Sequence, residues 1–106
     1  MLNIQDIQHL CHDECIVITK HARIRLTERD ISVAVVKHII QTGKIIKQYE
    51  NDKPFPSCLI LGVSEQNRHL HIVVSIDNGY IYVITAYYPN EHEWEADYSA
   101  RKERLL

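Results

Sequence analysis

Three side chains suited to acid–base chemistry and anion binding, His21, Arg25 and Arg29, recur at every fourth position of one segment. In a helix this spacing places them in a single stripe, because residues four apart are neighbours on the helix surface. Two arginines four apart repel each other by roughly 0.2–0.5 kcal/mol, and a bound anion would relieve that repulsion. The alternative is local pairing with Glu28 and Asp30, since surface ion pairs of this kind are common and contribute little.

A second group of candidates lies on segments with the two-residue period of β-strands. His69 and His71 share one strand face. Because the unperturbed pKa of histidine is about 6.5, the pair suits proton transfer on an open sheet face. The alternative is two half-exposed histidines without a chemical role. Strict alternation puts Thr85 and Tyr87 on the face of the last strand that also carries Val83, where their hydroxyls can reach a phosphate.

Metal and cofactor motifs are not evident in the sequence. Two histidines and two cysteines lie close together near the N-terminus, but they lack a second pair at zinc spacing: His9, Cys11, His12 and Cys15. The chain also has no phosphate-binding loop, dinucleotide fingerprint or Ser–His–Asp signature. We therefore expect no metal and no cofactor.

Composition indicates one ordinary globular domain over residues 1–106, with 45% hydrophobic and 25% charged residues. The net charge of −2 argues against a uniformly basic nucleic-acid coat, but seven Lys/Arg and only two Asp/Glu lie between Lys20 and Lys47. Four acids and no base lie between Glu91 and Asp97. We expect a cytoplasmic protein without a membrane span, because an odd three cysteines fit a reducing compartment and neither a signal peptide nor a long apolar run is present.

The elements that must position these side chains are helices first and strands afterwards. Periodicity and capping residues predict helices over 3–13, from Thr19 to about 29, and over 33–42. An extended connector or short strand at 16–18 joins the first two. The period then changes to two, which predicts strands over 44–50, 57–63, 69–76 and 79–88, and a short C-terminal helix from about Ala96. The predicted fold is α+β, with two to three N-terminal helices packed on one face of a four-stranded, mainly antiparallel sheet.

The segment from Thr19 to Ser32, with its His-Ala-x-x-Arg-x-x-x-Arg-x-Ile-Ser pattern, resembles the small bacterial family known as domain of unknown function 4258. The resemblance covers roughly Ile16 to Tyr88 and often extends to the Trp94 region and the C-terminal arginines. Members of that family are similar in layout to RelE-like toxin ribonucleases and often accompany an antitoxin that has a zinc finger and a helix-turn-helix. The resemblance therefore implies a RelE-like layout, RNA as a partner and an antitoxin as a second partner.

Our hypothesis is a metal-independent endoribonuclease of a toxin–antitoxin system, similar to mRNA interferases. The catalytic candidates are His21, Arg25, Arg29, His71 and Tyr87. RNA binding is assigned to four further residues: Lys20, Arg23, Thr85 and Arg101.

The alternative is a non-catalytic interaction module, whose arginine-rich helix binds nucleic acid or an acidic protein. Catalysis requires that a histidine, arginines and Tyr87 meet around one phosphate-sized site, whereas a module requires only the exposed stripe. Accordingly, His21→Ala abolishes cleavage in the first case. In the second, Arg25→Ala weakens partner binding and His21→Ala has little effect.

Overall fold

The computed structural model describes residues 1–102. Within this range the chain forms an α+β structure with three α-helices and five strands. The elements in chain order are α1 (Ile4–His9), β1 (Ile16–Ile18), α2 (Lys20–Glu28), α3 (Val33–Thr42), β2 (Lys44–Tyr49), β3 (Ser57–Val63), β4 (His69–Asp77) and β5 (Tyr80–Tyr87).

Helix starts are set by local capping. Asn3, Thr19 and Ser32 each use a side-chain oxygen to accept a backbone N–H from the first turn of the following helix. Such caps satisfy donors that have no partner inside the helix. The predicted helix over 3–13 is shorter in the structure, since α1 ends at His9 and a 3₁₀ turn follows at Asp13–Cys15.

The sheet has five strands in the order β1-β5-β4-β3-β2, so the predicted four-stranded sheet is wrong by one strand. Ile16–Ile18 is that additional strand, and it pairs in parallel with Ile81–Val83 of β5. The remaining pairs are antiparallel. A segment of three residues carries little strand signal of its own, and its pairing with a strand more than sixty residues away exists only in the folded chain.

Helices α2 and α3 cover one face of the sheet, with α2 on β5 and α3 on β3 and β4. The core lies between these layers. Gly62 of β3 permits the close approach of α3, because a Cβ at this position would lie 2.8 Å from the side chain of Ile39. The core consists of side chains from both helices and the facing strands, including Ala22, Leu26, Val36, Ile39, Ile40, Leu70, Ile72, Val74, Ile81 and Val83.

A β-bulge at Ile84 changes the faces of the last strand. Val74 of β4 pairs with Val83, but its neighbour Val73 pairs with Thr85, so one residue of β5 is left over. An extra residue in one strand interrupts the alternation of side chains. Thr85 and Tyr87 therefore lie on the face opposite the helices, and the prediction that they share a face with Val83 is wrong.

Residues 90–102, here called the C-terminal loop, fold back over the sheet face opposite the helices. The loop is closed by an isolated antiparallel bridge between Trp94 and Arg101 and by a hydrogen bond from the Glu95 N–H to the Ala100 carbonyl, 2.8 Å. Within the described residues 96–102 there is no helix, so the predicted C-terminal helix is wrong there. Its remaining predicted residues, 103–106, lie outside the described part of the chain.

No helix among residues 1–102 combines the length and the apolar character needed to cross a bilayer. The longest, α3, has ten residues.

Candidate functional site

A groove of about 570 Å³ lies between the end of β5 and the C-terminal loop. Two arginines, a carboxylate and three aromatic side chains meet there. The residues that line the groove are Arg29, Tyr87, Tyr88, Asn90, Glu93, Trp94 and Arg101.

Arg29 reaches the groove because of the way helix α2 ends. Asp30 adopts a left-handed conformation with φ of 54°, and the Ile31 N–H donates to the Leu26 carbonyl at 2.9 Å. These are the features of a Schellman motif, which terminates a helix and satisfies its last carbonyls. Arg29 is the C-cap residue that directly follows α2, and its side chain reaches β5.

The Arg29 guanidinium is anchored to β5 just beyond the residues that pair with β1. Its Nη1 donates to the Ala86 carbonyl at 2.7 Å and lies 3.4 Å from the Thr85 hydroxyl. Because an arginine has five N–H donors in a fixed fork, these contacts leave further donors for a ligand. Arg29 is therefore an oriented but solvent-accessible cation.

Beneath the groove, Tyr87 is held by the buried His71. The His71 Nε2 lies 2.8 Å from the Tyr98 carbonyl and its Nδ1 lies 3.3 Å from the Tyr87 hydroxyl. A carbonyl only accepts, so Nε2 carries the proton and the neutral ring offers the Nδ1 lone pair. The Tyr87 hydroxyl thus donates to His71, and its own oxygen remains able to accept a proton or a hydrogen bond from the groove.

Burial keeps both members of this pair neutral. It lowers the pKa of His71, and the positive charge of Arg101 and the neighbouring His69 act in the same direction, against the hydrogen bond to Tyr98. Burial also raises the pKa of Tyr87, although Arg101 and Arg29 oppose that shift. At neutral pH the pair therefore holds one transferable proton between two neutral groups.

The prediction that His71 lies on an open sheet face is wrong, because the C-terminal loop covers it completely. The indole of Trp94 packs edge-on against the imidazole at 4.3 Å between ring centroids. His69 stays partly exposed and stacks on Tyr98 at 4.7 Å. The loop arrives from a distant part of the sequence, so strand alternation alone did not reveal this cover.

Arg101 is held at the groove by the loop itself. Its guanidinium carbon lies 5.1 Å from the centre of the Trp94 ring, a distance at which cation–π attraction operates. Trp94 is 5% exposed and so provides a rigid support. Glu93 is the exposed carboxylate among the residues that line the groove.

The structure brings together five of the predicted residues. Arg29, Tyr87 and Arg101 line the groove, His71 supports Tyr87, and the Thr85 hydroxyl contacts Arg29. They come from the end of α2, two strands and the C-terminal loop, which are distant in sequence.

The four other predicted residues lie along helix α2 and are not among those that line the groove. Lys20, His21 and Arg23 are exposed. Arg25 lies 3.5 Å from Glu28, which confirms the local pairing considered for this arginine. The helical stripe is therefore divided: its last member contacts β5, and the others face solvent.

Sequence reasoning missed four residues that line the groove: Tyr88, Asn90, Glu93 and Trp94. Trp94 carried a usable signal, because it is the chain's one tryptophan and lies in a strongly polar segment. A large apolar ring in such surroundings usually has a burial site elsewhere in the fold.

Among the described residues, no group of three or more histidine, cysteine, aspartate or glutamate side chains is arranged to hold a metal ion. In the N-terminal set, Cys11 is buried and its thiol faces the Lys37 carbonyl at 3.8 Å.

The arrangement combines two chemical capacities. Two guanidinium groups that line the same groove can hold an anion through charge-assisted hydrogen bonds. Tyr87, which lines the same groove, can exchange a proton with the buried histidine. An anion-binding site with an adjacent proton acceptor suits a reaction at a phosphate ester.

Comparison with known proteins gives one family match. Residues 18–88, about two thirds of the chain, match the family described as Domain of unknown function (DUF4258). No curated protein and no solved structure matches the chain. The matched region contains α2, α3 and strands β2 to β5, with Arg29, His71, Thr85 and Tyr87, whereas the C-terminal loop lies beyond it. The chain belongs to the DUF4258 family.

Proposed function

We propose that this protein is a metal-independent endoribonuclease that acts in the groove between β5 and the C-terminal loop. The observation that supports this proposal is the convergence of Arg29, Arg101 and the Tyr87–His71 pair. The groove is open to solvent and not an enclosed pocket, as a site that acts on a polymer requires.

In the proposed reaction the 2′-hydroxyl of the RNA attacks the adjacent phosphorus and the bond to the 5′ oxygen breaks. Arg29 and Arg101 hold the phosphate oxygens and offset the negative charge that develops on them. Tyr87 accepts the proton of the 2′-hydroxyl while its own proton passes to Nδ1 of His71. The 5′ oxygen takes a proton from a water molecule on the open side of the groove. The hydroxide that remains then recovers a proton from the Tyr87–His71 pair, which restores water and both neutral side chains, and the products are a cyclic phosphate and a free hydroxyl.

The relay through His71 is needed because burial raises the pKa of Tyr87. The phenol therefore stays protonated at neutral pH and accepts a proton only if it releases its own. The lowered pKa of His71 keeps the imidazole neutral and its Nδ1 free to take that proton. Glu93 lines the same groove and is the competing candidate for the base.

The wider role we propose is that of a toxin in a toxin–antitoxin system. The family resemblance supports it, since it implies an antitoxin partner with a zinc finger and a helix-turn-helix. In this role the antitoxin silences the enzyme by covering its RNA-binding surface. The site we propose for that surface includes Arg29, Thr85 and Arg101, and the earlier assignments of Lys20 and Arg23 to RNA remain predictions.

The test is cleavage of single-stranded RNA by the purified protein, with and without EDTA, followed by analysis of the product ends. We expect cyclic phosphate ends, no loss with EDTA, and no cleavage where the substrate lacks the 2′-hydroxyl. Tyr87→Phe lowers the rate by about 10²–10⁴-fold, the usual contribution of a positioned acid or base. Tyr82→Phe is the matched control, because Tyr82 lies on the same sheet face but outside the groove.

Two further variants separate the competing bases. If Glu93→Gln abolishes cleavage and Tyr87→Phe does not, Glu93 is the base. If His21→Ala is the one variant that abolishes RNA cleavage, the acid–base role belongs to His21 on helix α2. Induced expression in bacteria then tests the toxin role, through growth and RNA integrity of strains with the wild type and Tyr87→Phe. Normal growth with intact RNA at matched protein levels would exclude it.

A non-catalytic module is the second candidate function, because the outer surface of α2 exposes both charge and apolar area. Lys20 and Arg23 are exposed, and Ile24 between them and the helix end is 49% exposed. A protein partner would bury such a mixed surface. If Arg23→Gln weakens binding of a partner while the groove variants leave it unchanged, this function replaces the first.

A further inference from the structure

Tyr88 stands at a junction of three cavities. It lines the groove of about 570 Å³ described above, a second cavity of about 470 Å³ at the α2–α3 junction, and a third of about 250 Å³ beside His69 and Tyr98. Arg29 is shared by the first two cavities. The proposed phosphate site thus continues on both sides of Arg29 and Tyr88.

Arg68 stacks on the ring of Tyr88, with its guanidinium carbon 3.6 Å from the ring centre. It lines the second and third cavities. Its backbone belongs to a closed turn, because the Ser64 N–H donates to the Arg68 carbonyl at 2.8 Å and the Arg68 N–H donates to the Ser64 hydroxyl at 3.2 Å. The cation is therefore carried on a well-defined part of the turn between β3 and β4.

Charge along the three cavities is mixed. The cations are Arg101, Arg29 and Arg68, and the carboxylates are Glu93 beside the first and Asp30 beside the second. Tyr88 is the aromatic group common to all three cavities. Cations beside a partly exposed aromatic side chain match a strand in which phosphates and unpaired bases alternate.

We propose that Arg68 and Tyr88 form a second nucleotide subsite, which binds the base and phosphate next to the reacting phosphate of a single-stranded RNA. The choice of RNA rests on the proposed function, but the subsite itself rests on the stacked pair and the shared cavities. A base reaches Tyr88 only when it is unstacked and unpaired, so a duplex is excluded. With this subsite, the protein binds short single-stranded segments in preference to duplex.

The test measures binding separately from cleavage. Fluorescence anisotropy records the affinity of 2′-O-methyl oligonucleotides, which have no free 2′-hydroxyl to attack, from a dinucleotide to about eight nucleotides. We expect affinity to rise as the oligonucleotide grows long enough to span the reacting phosphate and Tyr88. A hairpin duplex of equal charge binds more weakly.

Variants of the stacked pair then assign the subsite. Tyr88→Ala weakens binding at least about fivefold, the lower end of the cost of losing one base–aromatic stack, whereas Tyr88→Phe keeps it. Arg68→Gln reduces the slope of log affinity against log salt by about one, as expected for a lost phosphate contact. Lys53→Gln removes the same charge from an exposed loop and leaves the slope unchanged.

The outcomes distinguish this proposal from the proposed function. If Arg68→Gln and Tyr88→Ala bind like the wild type, or if duplex binds as well as single strand, the subsite is wrong even when the protein cleaves RNA. If both variants weaken binding but the wild type cleaves nothing, the subsite stands and the endoribonuclease proposal fails. Circular dichroism of each variant confirms folding, and Arg68→Gln decides the outcome if Tyr88→Ala does not fold.

Discussion

The His71 imidazole connects three parts of the molecule through two ring nitrogens. Nε2 donates to the Tyr98 carbonyl of the C-terminal loop, and Nδ1 accepts from Tyr87 at the end of β5. Nε2 can donate whether the ring is neutral or charged, but Nδ1 accepts from Tyr87 only in the neutral ring, in the tautomer with the proton on Nε2. The histidine therefore stabilises the covered sheet face and orients the tyrosine at the same time.

This dual role predicts a pH dependence of stability. Burial lowers the pKa of His71 below its ordinary value of 6.5, so below that pH the unfolded chain binds more protons than the folded protein. The contribution of neutral His71 to the free energy of unfolding is complete above about pH 7. It is lost as the pH falls toward the pKa that His71 has in the folded protein, by at most about 1.4 kcal/mol per pH unit.

Urea unfolding of the wild type and His71→Gln between about pH 5 and 8 measures this contribution. Glutamine keeps a donor for the Tyr98 carbonyl and does not titrate. We expect the difference in unfolding free energy between the two proteins to shrink as the pH falls. A difference that is constant across the range would contradict the assignment of a buried neutral histidine.

At the scale of elements, the β-bulge at Ile84 decides which face the chemistry occupies. If Ile84 were paired with β4 like its neighbours, strict alternation would turn Thr85 and Tyr87 toward the helices, as the sequence pattern predicted. Because Ile84 is instead an extra residue without a partner on β4, Tyr87 pairs with His71 across the strands and Thr85 contacts Arg29. The side chain of Ile84 itself is 39% exposed. The face that Thr85 and Tyr87 occupy therefore depends on the extra backbone residue and little on the isoleucine side chain.

Deletions of Ile84 and of Ala86 therefore have opposite expected results. Without Ile84 the ladder becomes regular, both hydroxyl-bearing residues keep their partners on β4, and the proposed site stays on the same face. Without Ala86, which is itself paired, alternation directs the Tyr87 hydroxyl into the apolar core without a partner, at a cost of roughly 1–3 kcal/mol, and removes the proposed site. Ile84→Ala changes the unfolding free energy by less than about 1 kcal/mol. Chemical denaturation and RNA cleavage check the variants, and an Ala86 deletion variant as stable and active as the Ile84 deletion variant would contradict this account of the bulge.

At the scale of the whole molecule, the sheet is covered on both faces by different means. Helices α2 and α3 cover one face with the main core. The C-terminal loop covers the other with Trp94, over a patch that includes His71, and the strand residues Leu59 and Leu61 are also buried outside the main core. The loop thus completes both the fold and the proposed groove.

Trp94→Ala is expected to lower the unfolding free energy by about 3–5 kcal/mol, the usual cost of truncating a buried large aromatic residue. If the groove binds RNA as proposed, the substitution also weakens that binding, because Arg101 loses its support. Phe55→Ala is the control, since Phe55 is 39% exposed in the loop between β2 and β3 and its loss costs less than about 1 kcal/mol. Equal effects of the two substitutions on the urea midpoint would contradict this account of the second face.

Local patterns in the sequence were sufficient for most elements. The caps Thr19 and Ser32 and the apolar period predicted α2 and α3, and alternation predicted β2 to β5 to within one or two residues. These features depend on interactions between residues that are close in sequence, so they can be read without the fold. The same patterns identified Arg29, His71, Thr85 and Tyr87 as candidates, and the family resemblance added Arg101, but neither gave their arrangement.

Only the tertiary structure decided how those residues meet. The parallel pairing of Ile16–Ile18 with β5, the bulge at Ile84 and the cover of His71 by Trp94 all join residues that are far apart in sequence or depend on register. Helical spacing predicted that His21, Arg25 and Arg29 form one stripe. In the structure, α2 ends in a Schellman motif and Arg29 contacts β5. Chemistry-bearing residue types are a property of the chain, whereas their convergence depends on long-range packing, which no local pattern encodes.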